Sequence, residues 1–469
     1  MSDTLKDSFG HGRTQVAGKV VLISTYELGR QPFGLASPAA YLKAAGAEVN
    51  TLDLAVHGLD EGLIRSADMI GFHLPMHTAT RLAVTFAQQV RQLNPTAHLA
   101  FFGLYATPNA ELLTQLGGQT ILSGEFEPGL VAAYRNHMCH QDGFPFVETN
   151  TARMDFVLPE RGHLPTLEHY AHLMDTQGRT RLVGYTEASR GCKHHCRHCP
   201  VVPVYGGKFR IVPQEIVLQD IEQQASAGAQ HITFGDPDFF NGIGHALPLI
   251  EELHQRFPDL TYDVTIKVEH LVQYNHHLEA LRRTGCLLIT TAIESFDDAT
   301  LKNLDKGHSP QDLETALAAT RRAGLHLNPT FVAFHPWMTL SDYMDFLDAI
   351  ERYDLIDHVA PIQLAIRLLI PPGSGLLERD DIQNIVQPFN PEALAYPWAH
   401  PDPRVDELQT RISALVEDHS THDVSRTDVY LQVRQMAGEF TGLPVTSSKA
   451  PANPLVSKPI PYLTENWYC

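Results

Sequence analysis

Short apolar runs recur along the chain, each followed by a stretch with helical patterning, in two separate series. Such repetition restricts the fold to α/β architectures built on parallel sheets. In the first series, residues 20–24, 48–54, 69–72, 99–102 and 121–123 read as buried parallel strands. Ser37 as N-cap, Pro38 at the first helical position and Gly46 after the last turn bound one intervening helix. Leu82, Phe86, Val90 and Leu93 mark the face of another. Residues 18–140 therefore form a doubly wound sheet, behind an N-terminal extension at 1–17. Ligands of such sheets bind at the carboxyl ends of the strands, although a scaffold or docking role fits the pattern equally well.

A polar connector at 141–180 leads to the second series. Its strands fall at 184–189, 231–234, 262–268, 287–293, 327–334 and 358–367, six β/α units of a partial parallel barrel over 181–384. Ser309, Pro310 and Gly324 punctuate its best-marked helix, with Leu313 and Leu317 facing inward. Two amphipathic helices follow within a helical C-terminal region at 385–442, one along Val405, Leu408, Ile412 and Leu415, the other along Val429, Val433 and Met436. The tail at 443–469 is Pro-rich, hence extended, and ends in Trp467, Tyr468 and Cys469.

Composition narrows the partners. With 35 Lys and Arg against 54 Asp and Glu, the net charge is −19. That balance argues against nucleic acid or an anionic membrane. No apolar stretch approaches the ~18 residues of a membrane span, and the polar N-terminus is no secretory signal. The expectation is a soluble cytoplasmic protein.

Of six cysteines, three crowd into Gly191-Cys-Lys-His-His-Cys-Arg-His-Cys-Pro200. Cys192, Cys196 and Cys199 follow the first barrel strand and so fall on a loop at the end of the barrel where chemistry gathers. Three thiolates can hold three irons of a [4Fe–4S] cluster and leave the fourth open. A zinc site completed by His194, His195 or His198 is the alternative, with a non-enzymatic interaction protein as its functional counterpart.

This C-x3-C-x2-C loop at the head of a β/α barrel resembles the radical S-adenosylmethionine (SAM) superfamily. The resemblance implies that the open iron chelates the amine and carboxylate of SAM, that reduction cleaves a carbon–sulfur bond, and that a flavodoxin or ferredoxin supplies the electron. His198 takes the place of an aromatic that commonly precedes the third cysteine near adenine. Gly235, Asp236 and Asp238 match a Gly- and acid-containing segment near the SAM ammonium, with simple turn formation as the alternative. Glu294 resembles the acid that reaches the ribose hydroxyls. Lys267, His335 and Arg367 fall at or near strand ends, where Arg367 is suited to pair with a carboxylate. The first sheet resembles the cobalamin-binding domain of one radical-SAM subgroup but lacks the D-x-H-x-x-G signature. His77 and Arg81 stand after its third strand, where a cofactor would sit, or else cap and solvate a helix.

Segments 75–81, 198–205, 331–337 and 370–374 together resemble the CUAEP/CCAEP-tail radical SAM family, which includes the radical SAM protein of arsinothricin biosynthesis. Members end in Cys-Cys-Ala-Glu-Pro or its selenocysteine form, so a UGA codon read as stop after Cys469 is the corresponding expectation. The likeness implies transfer of the 3-amino-3-carboxypropyl group of SAM to trivalent arsenic, with arsenite as substrate and Cys469 as a ligand. Cobalamin-dependent methylation of an unactivated centre is the alternative.

Overall fold

The computed structural model describes residues 17–141, 146–420, 424–442 and 460–465. Its first unit is a parallel sheet of β1 (Lys19–Ser24), β2 (Glu48–Asp53), β3 (Met69–His73), β4 (His98–Phe102), β5 (Thr120–Gly124) and β6 (Phe146–Asn150), ordered β2-β1-β3-β4-β5-β6. Alternation along the strands feeds two apolar layers. Val21, Ile23, Phe72 and Phe101 face one side, and Val20, Leu22, Met69 and Leu122 the other. The chain order reverses between β1 and β3, which makes the carboxyl ends of those strands the ligand position of the sheet.

Several local expectations are corrected. β6 lies inside the stretch read as connector; its exposed, mixed pattern hid an edge strand. The first helix runs Phe33–Ala44 from Pro32, so Ser37 is internal and donates through Oγ to Glu127 at 2.6 Å. Pro38 lies inside the helix, where it lacks an amide donor and crowds the carbonyl one turn back, and the Ser-Pro pair imitated a helix start. The helix His77–Leu93 buries Val90 together with Ala79, Ala83 and Ala87, with Phe86 and Leu93 packed against the same core, and of the expected face only Leu82 turns outward, 40% exposed.

The second unit contains β7 (His172–Met174), β8 (Thr180–Thr186), β9 (Ser189–Gly191), β10 (Phe209–Ile211), β11 (His231–Phe234), β12 (Thr261–Thr265), β13 (Cys286–Glu294) and β14 (His326–Phe331). A last strand, β15 (Tyr462–Leu463), comes from the tail. The main sheet is ordered β14-β13-β12-β11-β8-β7-β15, with β8 and β11 to β14 parallel and β7 and β15 antiparallel at the edge. The expected sixth barrel strand is absent. Residues 358–367 form a 3-10 turn, Pro361–Leu364, and contribute a single bridge, Phe334 to Arg367.

The helix Pro310–Arg322 carries a full capping box of Ser309 and Asp312. Helices Pro403–Ser420 and Arg426–Thr441 bury Val405, Leu408, Ile412, Val429 and Val433 in the barrel's own core, with Leu415 and Met436 partly buried against it. No described helix is long and apolar enough to cross a membrane.

Candidate active site

The cysteine loop is pinned at its base and its tip. β9 and β10 pair antiparallel across it, Gly191 opposite Phe209. Gly191 sits at φ 75°, and a side chain there would strike the Tyr205 ring and the Lys208 carbonyl. At the tip, the Arg197 amide donates to Leu304 O at 3.0 Å, and its guanidinium donates to the carbonyls of Lys302 and Asn303. Cys196 is buried, with Cys192 and Cys199 half-buried beside it. Burial raises the Cys192 thiol and pushes Cys199 up to about 12, and neighbouring cysteine charge adds to both shifts. Two thiols that resist ionisation alone, grouped with a third at Cys196, fit a cationic metal cluster that would hold all three as thiolates.

Behind this loop Glu294 closes β13 in the left-handed region, at φ 68°. Its Oε1 takes His198 Nε2 at 3.0 Å and Lys306 Nζ at 3.1 Å. Burial would raise the Glu294 carboxyl, but Lys306 and His198 outweigh it and hold the group at about 2. Burial works against the Lys306 charge, yet Glu294 and the nearby Cys196 and Cys199 raise its pKa overall.

A second network adjoins the first. Asp238 Oδ2 lies 3.2 Å from His194 Nε2 and 2.6 Å from His270 Nδ1, while Lys267 Nζ lies 3.0 Å from His194 Nδ1. Burial opposes ionisation of Asp238, but the two imidazoles hold its carboxyl at about 2. Asp236 behaves oppositely. It accepts from the Ala188 amide at 2.9 Å and from Ser189 Oγ at 2.5 Å, and burial pushes its carboxyl up to about 7. Gly235 is required by crowding, since a Cβ there would meet Tyr185 Oη at 1.8 Å.

The carboxyl ends of the two sheets face each other. Arg190 of β9 reaches Glu127 at 2.8 Å, Glu125 at 3.2 Å and Glu187 at 2.8 Å, and Tyr205 Oη donates to Glu125. Beside this buried ion network lies a cavity of about 230 Å3, lined by Glu27, Arg30 and His73 from the first sheet and by Glu187, Gly191 and Gly235 from the barrel.

Other expected site residues fall elsewhere. Arg367 is taken up by Asp406 at 2.6 Å and by Trp398 O at 2.8 Å, with its guanidinium 3.6 Å from the Trp398 ring centroid; the carboxylate it pairs belongs to the chain itself. His77 Nε2 contacts Ala393 O at 2.6 Å and Arg81 is exposed, so neither lines the interdomain cavity. His335 is 6% exposed and lines a separate cavity of about 420 Å3 that shares Glu294 with the cluster side. Burial depresses its imidazole to about 4. Cys469, Trp467 and Tyr468 lie outside the described residues. Sequence reading missed Lys306, Glu27, Arg30, His73 and Arg190. Only Lys306 had a local signal, a lysine between two short helices and 12 residues beyond Glu294.

Residues 186–350 match the Radical SAM superfamily. The barrel is a radical SAM domain. Among relatives, a Methanocaldococcus jannaschii protein provisionally named a methylthiotransferase is 22% identical over 369 residues, 73% of this chain and 78% of that protein. The bacteriochlorophyllide d C-8(2)-methyltransferase of Chlorobaculum tepidum is 24% identical over 40% of this chain and 44% of its own. Two solved folds span most of the molecule. OxsB, a cobalamin-dependent SAM radical enzyme with aqua-cobalamin bound, aligns with TM-score 0.65 at 14% identity over 91% of this chain and 72% of its own. TsrM of Kitasatospora setae, a radical SAM methyltransferase with cobalamin and a [4Fe–4S] cluster bound, aligns with TM-score 0.59 at 14% identity over 92% of this chain and 100% of its own. This radical SAM enzyme thus shares the two-part α/β architecture of both, and its barrel implies a [4Fe–4S] cluster and SAM.

Proposed function

We propose that the chain is a radical SAM methyltransferase whose small acceptor binds in the cavity between the two sheets. One observation carries this reading. Gly191, Val201 and Tyr205, which flank the cysteine loop, line one cavity together with the carboxyl ends of the N-terminal strands, in a fold shared with the TsrM methyltransferase across both parts. A [4Fe–4S] cluster held by Cys192, Cys196 and Cys199 would supply the electron for cleaving a carbon–sulfur bond of SAM, drawn from a flavodoxin- or ferredoxin-type donor.

The chain's own residues do the rest. Cys192, Cys196 and Cys199 hold the cluster. Lys306 offsets thiolate charge and fixes one Glu294 oxygen, leaving the other for the ribose hydroxyls. His198, oriented by the same oxygen, offers its ring to adenine. Asp238, kept ionised by His194 and His270, supplies negative charge for the SAM ammonium, and Lys267 anchors that pair.

Cobalamin does not fit the cavity as it stands. Ligand pockets for drug-sized molecules hold ~300–1,000 Å3, and a corrin with its nucleotide tail is larger than those ligands. Here the space is about 230 Å3. The His73 ring stacks on Phe102 at 5.4 Å and closes over Gly34, where even a Cβ would collide with it. No step is therefore drawn through that cofactor.

A second reading, transfer of the 3-amino-3-carboxypropyl group to trivalent arsenic, rests on the sequence resemblance alone and needs no cobalamin. Anaerobic reconstitution with iron, sulfide, SAM and reductant separates the two. Methyl transfer yields 5′-deoxyadenosine with S-adenosylhomocysteine, and carboxypropyl transfer to added arsenite yields 5′-methylthioadenosine. A colourless zinc protein that leaves SAM intact overturns both.

A further inference from the structure

Three buried polar atoms that line the interdomain cavity have no hydrogen-bond partner: Glu27 Oε2, Arg30 Nε and His73 Nδ1. Glu27 is 9% exposed and His73 6%. Glu27 Oε2 and His73 Nδ1 stand 3.5 Å apart, an ion-pair contact when the imidazole is protonated but not a hydrogen bond, and among the described residues no ion pair joins Glu27 to Arg30. Buried polar groups left unmade are costly, and a cluster of them on one cavity wall marks groups awaiting a ligand.

The signs of the groups define that ligand. A carboxylate and a guanidinium face the same space, so a molecule satisfying both carries an ammonium and a carboxylate. Arg30 is held against the wall, its guanidinium carbon 5.0 Å from the Tyr185 ring centroid. Phe33, Phe126 and Tyr205 supply apolar lining around the charges. The space, about 230 Å3, equals about eight waters at roughly 30 Å3 each, which suits a small molecule.

We propose that this cavity recognises its acceptor as a zwitterion, an α-amino-acid-type molecule whose carboxylate meets Arg30 and whose ammonium meets Glu27. The inference rests on reading the cavity as the acceptor site. A site built to bond both ends rejects molecules lacking either, because one buried charge is then left unpaired.

The test is calorimetric titration of the full-length, cluster-loaded protein, without oxygen, with the twenty protein amino acids. The tightest binder is then compared with its decarboxylated amine and its deaminated acid. Binding of an amino acid, weakened at least tenfold in each truncated analogue, supports the proposal. So does a tenfold loss in Arg30→Met and Glu27→Gln proteins that keep the wild-type melting profile and iron content. Binding of no amino acid overturns it, as does an amine or acid that binds as well as its parent. SAM could itself present the zwitterion; Glu27-dependent SAM binding by the Cys192→Ala, Cys196→Ala, Cys199→Ala protein also overturns it. Should the variants fail to fold, the analogue series on the wild-type protein decides alone. SAM cleavage by the same wild-type preparation is read separately, so failure of the proposed function remains distinguishable from failure of the zwitterion site.

Discussion

Lys306 Nζ lies 3.1 Å from Glu294 Oε1, and both side chains are buried behind the cysteine loop. The pair joins the turn after the helix Asp298–Leu304 to the residue that closes β13 in a left-handed conformation. Removing one partner of a buried pair strands the other and costs about 3–5 kcal/mol. Lys306→Met is expected to lose stability on that scale and to retain less iron per chain, with Lys306→Arg restoring part of both. Denaturant titration and iron analysis of reconstituted protein check this.

The cluster assignment has the simplest test. Replacing Cys192, Cys196 and Cys199 by alanine is expected to abolish the visible iron–sulfur absorbance and SAM cleavage together while leaving the N-terminal sheet folded. Retained cleavage in the triple variant would falsify the assignment.

Asp236 sets a pH dependence. Its carboxyl is held at about 7 by burial, against an ordinary value of 3.8. The folded chain therefore keeps a proton that the unfolded chain releases. Stability contributed by that proton is full at low pH and is lost as pH rises from about 4 to 7. Asp236→Asn mimics the protonated form, since its amide oxygen can accept from Ala188 and its amide nitrogen can donate to the Ser189 hydroxyl, which turns from donor to acceptor. It is expected to flatten this part of the stability profile, by a few kcal/mol in order of magnitude, when melting is followed from pH 5 to 8. An unchanged slope would place the titration elsewhere.

How much of this was legible in the sequence follows from the range of the forces involved. Parallel strands buried on both faces advertise themselves as apolar runs, and all five strands of the first series and five of the six barrel strands were readable that way. β6 was not, because an exposed edge strand needs no continuous apolar run, and β7 was not, because three residues are too few to show one. The cysteine loop was readable because its spacing is local. Lys306, Arg190, Glu27 and Arg30 acquire meaning only through partners brought close by the fold; Arg190 meets Glu127 63 residues away. Arg367 misled for the same reason, as its partner Asp406 lies 39 residues downstream.

That reassignment of Arg367 is testable. Arg367→Met removes a half-exposed ion pair and a guanidinium stacked on Trp398, together worth about 1–2 kcal/mol. The melting temperature is expected to fall by a few degrees, with SAM cleavage per iron–sulfur cluster unchanged. A large loss of turnover at full cluster occupancy would restore Arg367 to the site.

The tail is a structural element in its own right. Tyr462 and Leu463 add β15 to the edge strand β7, and Tyr26 Oη donates to Glu465 at 2.8 Å, tying the tail to the loop after β1. Arg426 lies over the Tyr462 ring at 5.3 Å. Since the loop after β1 also supplies Glu27 and Arg30 to the cavity, removing residues 460–469 should release more than a sheet edge. Hydrogen exchange is expected to quicken at His172–Met174 and again around Leu28, while the β11 and β12 amides stay protected. Loss of protection confined to β7 would mean that the tail caps the sheet without holding the cavity wall.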